Sequence, residues 1–151
     1  MQRKGYTLVE MVFVVIFVGI LAAIALPKIN FAIVRKQKSD TVSRKIVTDL
    51  RRTRRLAITD AANNTTGYEL EMVGSPPYTS YQIDNLDPIE STIETHTIDA
   101  EVECTGDTNF KFGPLGNLLT GSGSTLNIIA EGKSYTITVT SSTGMVKCVQ
   151  D

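Results

Sequence analysis

Glu10 is a lone carboxylate set one residue ahead of an uncharged apolar run, residues 11–26. In a membrane-embedded helix an acidic residue costs roughly 2.5 to 3.5 kcal/mol at the centre and less near an end, so such groups are usually found paired. The nearby cations are Arg3 and Lys4 behind it. Lys28 lies beyond the run, and a helix rising ~1.5 Å per residue puts it about 27 Å away. The chemistry Glu10 offers is charge pairing. Other reactive residue types offer less. His96 is the one histidine, without a neighbouring Cys, and reads as an exposed strand or loop residue rather than a base or ligand. Gly132-Lys133-Ser134 has the closing residues of a phosphate loop, but that motif needs Gly where the chain has Asn127, so the string reads as a hairpin. Asp84, Asp87, Glu90 and Glu94 suit a hard cation such as Ca²⁺, which takes roughly six to eight oxygens, yet their spacing fits no cation-binding loop. They read as a solvated acidic patch. No catalytic residue, cofactor or metal is expected.

The elements that must position Glu10 come next. The chain's 151 residues and net charge of −1 conceal a sharp division. Of 15 Lys and Arg, all but Lys111, Lys133 and Lys147 lie before Thr59, where only Glu10, Asp40 and Asp49 oppose them. A basic stalk and an acidic head follow from that. A secretory signal peptide would use Ala23-Ile24-Ala25 as its cleavage site, but leaves Glu10 inside the apolar core and a helical pattern running past Pro27. A plain single-span anchor is slightly short of the ~20 residues usually needed unless residues 6–9 join it, and leaves Glu10 and Gly5 unexplained.

A third reading comes from the motif itself. Gly5-Tyr6-Thr7-Leu8-Val9-Glu10-Met11, followed by Gly19-Ile20-Leu21-Ala22-Ala23-Ile24-Ala25-Leu26-Pro27, closely resembles the N-terminus of type IV pilins and type II secretion pseudopilins. The resemblance implies that a prepilin peptidase cuts between Gly5 and Tyr6 on the cytoplasmic side and methylates the new amino group of Tyr6. Family members most often carry Phe at that position. It also implies a partner for Glu10, the N-terminal amine of a neighbouring subunit in a growing filament. Cleavage creates that cation, and association lets two groups that are costly alone neutralise each other at low dielectric.

Beyond Lys28 the chain reads as a continuing helix to about Asp60. Val42, Ile46, Leu50, Thr53 and Ala57 recur at spacings of three and four without Gly or Pro between them. Taken from Tyr6 to Asp60 one helix would run on the order of 80 Å, with Pro27 removing a backbone donor and favouring a kink. Its polar face holds Arg44, Lys45, Arg51, Arg52, Arg54 and Arg55. Such a face could take an anionic partner such as DNA phosphates. The alternative is a solvated face complemented by the acidic head and the helix C-terminus.

Asn63-Asn64-Thr65-Thr66-Gly67 ends the helix with turn formers, after which the period falls to two. Strands are expected over residues 68–72, 79–83, 97–104, 109–112, 125–130, 133–140 and 145–149. In the third, Ile98, Ala100, Val102 and Cys104 would face one way and Asp99, Glu101 and Glu103 the other. That alternation describes an antiparallel sheet with one wet face. Glu131-Gly132 and Thr143-Gly144 read as hairpin turns, and residues 113–123 as a long surface loop. The fold class is therefore α+β, a long N-terminal helix packed on an antiparallel sheet head.

A second set of residues is similar to the H-type minor pseudopilins of type II secretion and related minor pilins. These are Asp49-Leu50-Arg51-Arg52-Thr53-Arg54-Arg55-Leu56-Ala57-Ile58, Phe110-Lys111-Phe112-Gly113 up to Gly116, the strand pair over 126–139, and Gly144-Met145-Val146. Some relatives take up DNA through basic residues towards their C-terminus. Lys147-Cys148-Val149-Gln150-Asp151 shows no such run, so nucleic acid is not an expected partner.

The resemblance divides the chain into a leader (1–5), a transmembrane and assembly helix (6–27), an amphipathic half-helix (28–62) and a periplasmic head (63–151). It implies a non-enzymatic minor pseudopilin, held in the inner membrane with its head in the periplasm until extracted into a pseudopilus supporting export. The alternative is a minor type IV pilin acting in pilus assembly, adhesion or DNA uptake. Implied partners are prepilin peptidase, other pseudopilins or pilins and the inner-membrane assembly platform. Cys104 and Cys148 would lie in the oxidising periplasm, where pairing would add roughly 4 kcal/mol by loop closure. Without the bridge they would be buried free thiols on adjacent strands.

Overall fold

A computed structural model of the chain describes residues 6–25, 31–120 and 124–151. The chain divides into two units, Met1–Phe31 and Ala32–Asp151. The first contributes one helix, α1 (Leu8–Ala25). The second holds α2 (Phe31–Thr59) from Ala32 onward and continues as β strands only. The expected kink residue Pro27, and with it the single unbroken helix, lies outside the described residues.

The buried seam of α2 follows the expected stripe and extends it. Ser39, Ser43, Ile46, Leu50, Thr53 and Ala57 are completely buried, at alternating spacings of four and three, and Val42 packs against the same core at its margin. The hydroxyls within this seam need no outside partner. Ser39 donates to the Lys36 carbonyl (2.9 Å), Ser43 to that of Asp40 (3.0 Å) and Thr53 to that of Asp49 (2.8 Å). Back-bonding of this kind satisfies a short polar side chain inside a helix. It lets small residues sit at zero exposure and the sheets approach closely.

The turn out of α2 is organised by Asn64, almost fully buried. Its Oδ1 accepts from the backbone N–H of Thr66 (3.0 Å) and Gly67 (2.6 Å), and its Nδ2 donates to the Gly67 carbonyl (2.9 Å) and to Asn85 Oδ1 (2.6 Å). Gly67 has φ +97°, and a Cβ there would stand 2.0 Å from the Phe112 carbonyl oxygen. Only glycine fits both constraints.

Eight strands follow: β1 (Tyr68–Val73), β2 (Ser80–Asn85), β3 (Ser91–Thr97), β4 (Glu103–Gly106), β5 (Asn109–Phe112), β6 (Thr125–Ala130), β7 (Lys133–Val139) and β8 (Val146–Gln150). They form two antiparallel sheets where one was expected, in the orders β3-β2-β1-β5 and β4-β6-β7-β8. Leu70, Ile83, Phe110 and Phe112 from the first sheet, Leu126, Ile128, Ile137 and Val139 from the second, and Ile46 and Leu50 of α2 belong to one buried cluster. The β6–β7 hairpin turns at Glu131 (φ 47°) and Gly132 (φ 72°), the positive pair that a two-residue type I′ turn requires.

The expected strand over 97–104 is not formed. In its place a turn joins β3 to β4: Asp99 Oδ1 accepts from the Glu101 N–H (3.0 Å), and the Val102 N–H donates to the Asp99 carbonyl (2.9 Å). Lys38 of α2 reaches both acids, at 3.0 Å from Asp99 and 2.7 Å from Glu101. Ile98, Val102 and Cys104 are buried, but Ala100 is exposed at the turn. The alternation arises from a loop laid on the core. β3 escaped notice for the converse reason: it is a sheet edge whose residues are mostly exposed, so nothing imposes a period of two.

A polar contact fastens the helix to the first sheet. The Tyr81 hydroxyl donates to Asp49 Oδ2 (2.5 Å), both residues being buried. Burial, and next the Asp49 carboxylate, push the Tyr81 phenol well above its ordinary pKa, so it stays a donor. His96 was expected to be exposed, but its side chain is only 14% accessible. Its ring lies 5.2 Å from that of Tyr81. Its Nε2 stands 3.3 Å from Glu94 Oε1 and 3.6 Å from Asp49 Oδ2, without hydrogen-bond geometry to either. Lys45 Nζ closes the group at 3.2 Å from Nδ1.

The disulfide between Cys104 and Cys148 is not formed, and both thiols are free. Cys104 is on β4 and Cys148 on β8, with β6 and β7 between them. Three strand spacings put the two backbones about 14 Å apart, whereas a disulfide tolerates roughly 4.4 to 6.8 Å between Cα atoms. Nor are the strands adjacent or both thiols buried, since Cys148 is exposed. Burial pushes the Cys104 thiol up to about 12.

Two measurements bear on this description. Tyr81→Phe is expected to cost about 1 to 3 kcal/mol in denaturant unfolding, because it strips a buried carboxylate of its donor; a change within error would show that the contact does not fasten the helix. A maleimide should label the native protein at Cys148 and reach Cys104 only after unfolding, with no change in Tm on adding a reductant.

Candidate assembly helix and basic face

α1 is apolar on every side and uncovered. Leu8, Phe13, Val15, Phe17 and Ile24 are each more than half exposed, and among residues 6–24 every side chain is exposed. A helix that is apolar all round belongs inside a larger apolar environment, and an exposed apolar surface of this extent marks a protein or membrane contact. Its 18 residues make about 27 Å of helix against a bilayer core of about 30 Å. Among the described residues no helix is long and apolar enough to cross a membrane.

Thr7 sets where α1 begins. Its Oγ1 accepts from the Glu10 N–H (3.3 Å), and its carbonyl accepts from the Met11 N–H (3.2 Å). Thr7-Leu8-Val9-Glu10 thus has the spacing of a capping box, with Glu10 at its third helical position. The first-turn location also suits a carboxylate, which is favoured by the positive end of the helix dipole. The cap lies within the stretch that resembles a processing motif. Tyr6 is 79% exposed. Gly5 lies outside the described residues.

The basic face of α2 is largely committed to the head. Arg51 Nη2 donates to the Val146 carbonyl (3.3 Å) and Arg54 Nε to that of Gly116 (2.9 Å), while Arg52 pairs with Glu94 of β3. Arg44 is paired with Asp40 one turn earlier (3.0 Å). That contact, followed by the Tyr135 hydroxyl, holds the Asp40 carboxyl below its ordinary value. Arg55 is exposed beside Arg52, Leu56 and Thr59 in a shallow groove. The two carbonyl acceptors lie 95 and 62 residues along the chain, and no local pattern could have revealed them. Of the residues read as an anionic-partner face, Arg51, Arg52 and Arg54 serve as clamps.

No protein-family model matches the chain, and no curated protein matches it in sequence. Solved structures do. The type IV minor pilin FimU of Pseudomonas aeruginosa PAO1, in a P21 crystal form, is similar with a TM-score of 0.63 at 13% identity, covering 75% of this chain and 89% of that one. The same protein in a P65 form gives 0.60 at 13% identity, covering 73% and 91%. At that identity the likeness concerns architecture alone. The chain has a type IV pilin-like fold.

Proposed function

We propose that the chain is a minor structural subunit of a pilin-like filament, and specifically of the pseudopilus that supports type II secretion. One observation carries this reading: a helix apolar on every side, with a single carboxylate in its first turn, is joined to a head of type IV pilin-like fold. Such a helix is stable in a membrane or packed among its own kind, and the carboxylate makes the second setting selective.

In this reading prepilin peptidase removes residues 1–5 and methylates Tyr6, and the protein waits in the inner membrane with its head in the periplasm. The amine of Tyr6 in one subunit then meets Glu10 of the next as the assembly platform adds it to the filament. Two charges that each cost free energy in an apolar setting cancel on association. The subunit performs no catalysis. Nucleic acid has little room in this scheme, since Arg51, Arg52 and Arg54 of the basic face bond to the head instead.

A second reading, a minor type IV pilin, is favoured by the name that the similar structures carry. The head residues similar to H-type pseudopilins favour the first. Secretion-platform genes beside the coding sequence would fit the pseudopilus, and pilus or competence genes the second reading.

Intact mass and N-terminal sequencing of the protein from its native membrane are expected to give a chain starting at methylated Tyr6. An intact Met1 would point to a simple anchor and a start at Leu26 to a signal peptide. Glu10→Ala is expected to keep membrane insertion and to lose most of its incorporation into filaments when co-expressed with the wild type. Equal incorporation of the two would remove Glu10 from the assembly step.

A further inference from the structure

The acidic residues between β1 and β3 are not simply solvated. β1 and β2 pair with Glu69 opposite Asp84 and Glu71 opposite Gln82, so these four side chains share one face of the sheet, away from the core residues Leu70 and Ile83. The segment leading into β3 brings Glu90 back to the same place. One carboxylate oxygen from each of Glu71, Asp84 and Glu90 lies within 4.8 Å of the other two.

Asp84 sets this group apart from an ordinary acidic patch. It is 1% exposed, and among the described residues neither of its oxygens has a hydrogen-bond partner. A buried, unpaired carboxylate facing two others is among the costliest arrangements a fold can hold, unless a cation is shared between them. The pairing of β2 with β3 shifts at the same point, between Ile83 and Asp84, so that Asp84 stands opposite Thr92. Bulges of this kind re-aim side chains next to functional sites.

The surroundings complete the case. Gln82 Nε2 donates to Glu71 Oε2 (3.1 Å), which orients that carboxylate. Glu69 lies next in the row and is held by Asn109 Nδ2 (2.5 Å). Its carboxyl is raised above the ordinary value first by burial and, against that hydrogen bond, by the charges of Glu71 and Glu90. Lys111 stands opposite Glu69 on β5, on the far side of β1 from Asp84. Glu90 is exposed and Glu71 half-buried, which leaves an approach from solvent.

We propose that Glu71, Asp84 and Glu90 form a Ca²⁺ site that ties β1 and β2 to the segment entering β3. The donor set suits the ion. Calcium takes hard oxygen ligands at roughly 2.3 to 2.6 Å in flexible geometry, and carboxylate oxygens within 4.8 Å of one another fit that span, whereas magnesium demands a near-ideal octahedron and gives up its waters reluctantly. Water would fill the remaining positions. Of the acids the sequence grouped together, the site takes Asp84 and Glu90. Asp87 instead accepts from the Thr65 N–H (2.8 Å), and Glu94 pairs with Arg52. Glu71 was missed because it is brought in by strand register.

The full-length protein in detergent, freed of metal by a chelator, supplies the test. Added Ca²⁺ is expected to raise its Tm progressively with concentration, with a much smaller rise for equal Mg²⁺, and Tb³⁺ should give tyrosine-sensitised luminescence that Ca²⁺ displaces. Asp84→Asn should abolish both signals, and Glu103→Gln on the other sheet should leave them unchanged. Should Asp84→Asn fail to fold, Glu90→Gln at the exposed rim is expected to weaken Ca²⁺ at least about tenfold. No Tm shift and no luminescence up to about 10 mM, beyond the weakest extracellular calcium modules, would overturn the site, as would a shift persisting in Asp84→Asn.

Discussion

The seam along α2 is the constraint on which the second unit depends. Six positions from Ser39 to Ala57 lose all contact with solvent, and Ile46 and Leu50 join residues from both sheets in one cluster. Each four-stranded sheet has one apolar face that must be buried. The helix supplies an apolar surface common to both. The polar contacts then set the position of the helix on that surface, since Tyr81, Arg51 and Arg54 act at separate points along it.

This arrangement also accounts for the uneven charge of the chain. Basic residues gather on α2 because the head offers it acids and carbonyls: Asp99 and Glu101 for Lys38, Glu94 for Arg52, and the carbonyls of Gly116 and Val146 for two arginines. Each exposed ion pair is worth little by itself. Their distribution along some five helical turns gives the helix one orientation in which most of them are met.

What the sequence disclosed follows from how local the causes are. The α2 stripe, the Asn64 turn, the Glu131-Gly132 hairpin and most strands were readable, because spacing and turn chemistry act over a few residues. Ser39 and Ser43 were not counted as core, since a serine looks polar until its hydroxyl finds a carbonyl one turn back. The segment 97–104 misled because burial of Ile98, Val102 and Cys104 imitates a strand, while the strand β3 has a polar edge with no pattern to show. Cys104 and Cys148 were read as partners from compartment and number alone, and strand order separates them. In α1 Glu10 stands out by its cost, but its cap by Thr7 does not, and Glu71 joins Asp84 only through register.

The apolar surface of α1 has one further consequence. A cylinder that is equally oily on all sides can be packed among others like it at any rotation about its own axis, for burial favours no angle over another. Glu10 breaks that symmetry. It is the single charged mark on the described surface of α1, and it sits at one end. In the proposed filament it would fix both the rotation of the cylinder and its height against a neighbour, dividing adhesion from alignment: the first spread over many side chains, the second held by one.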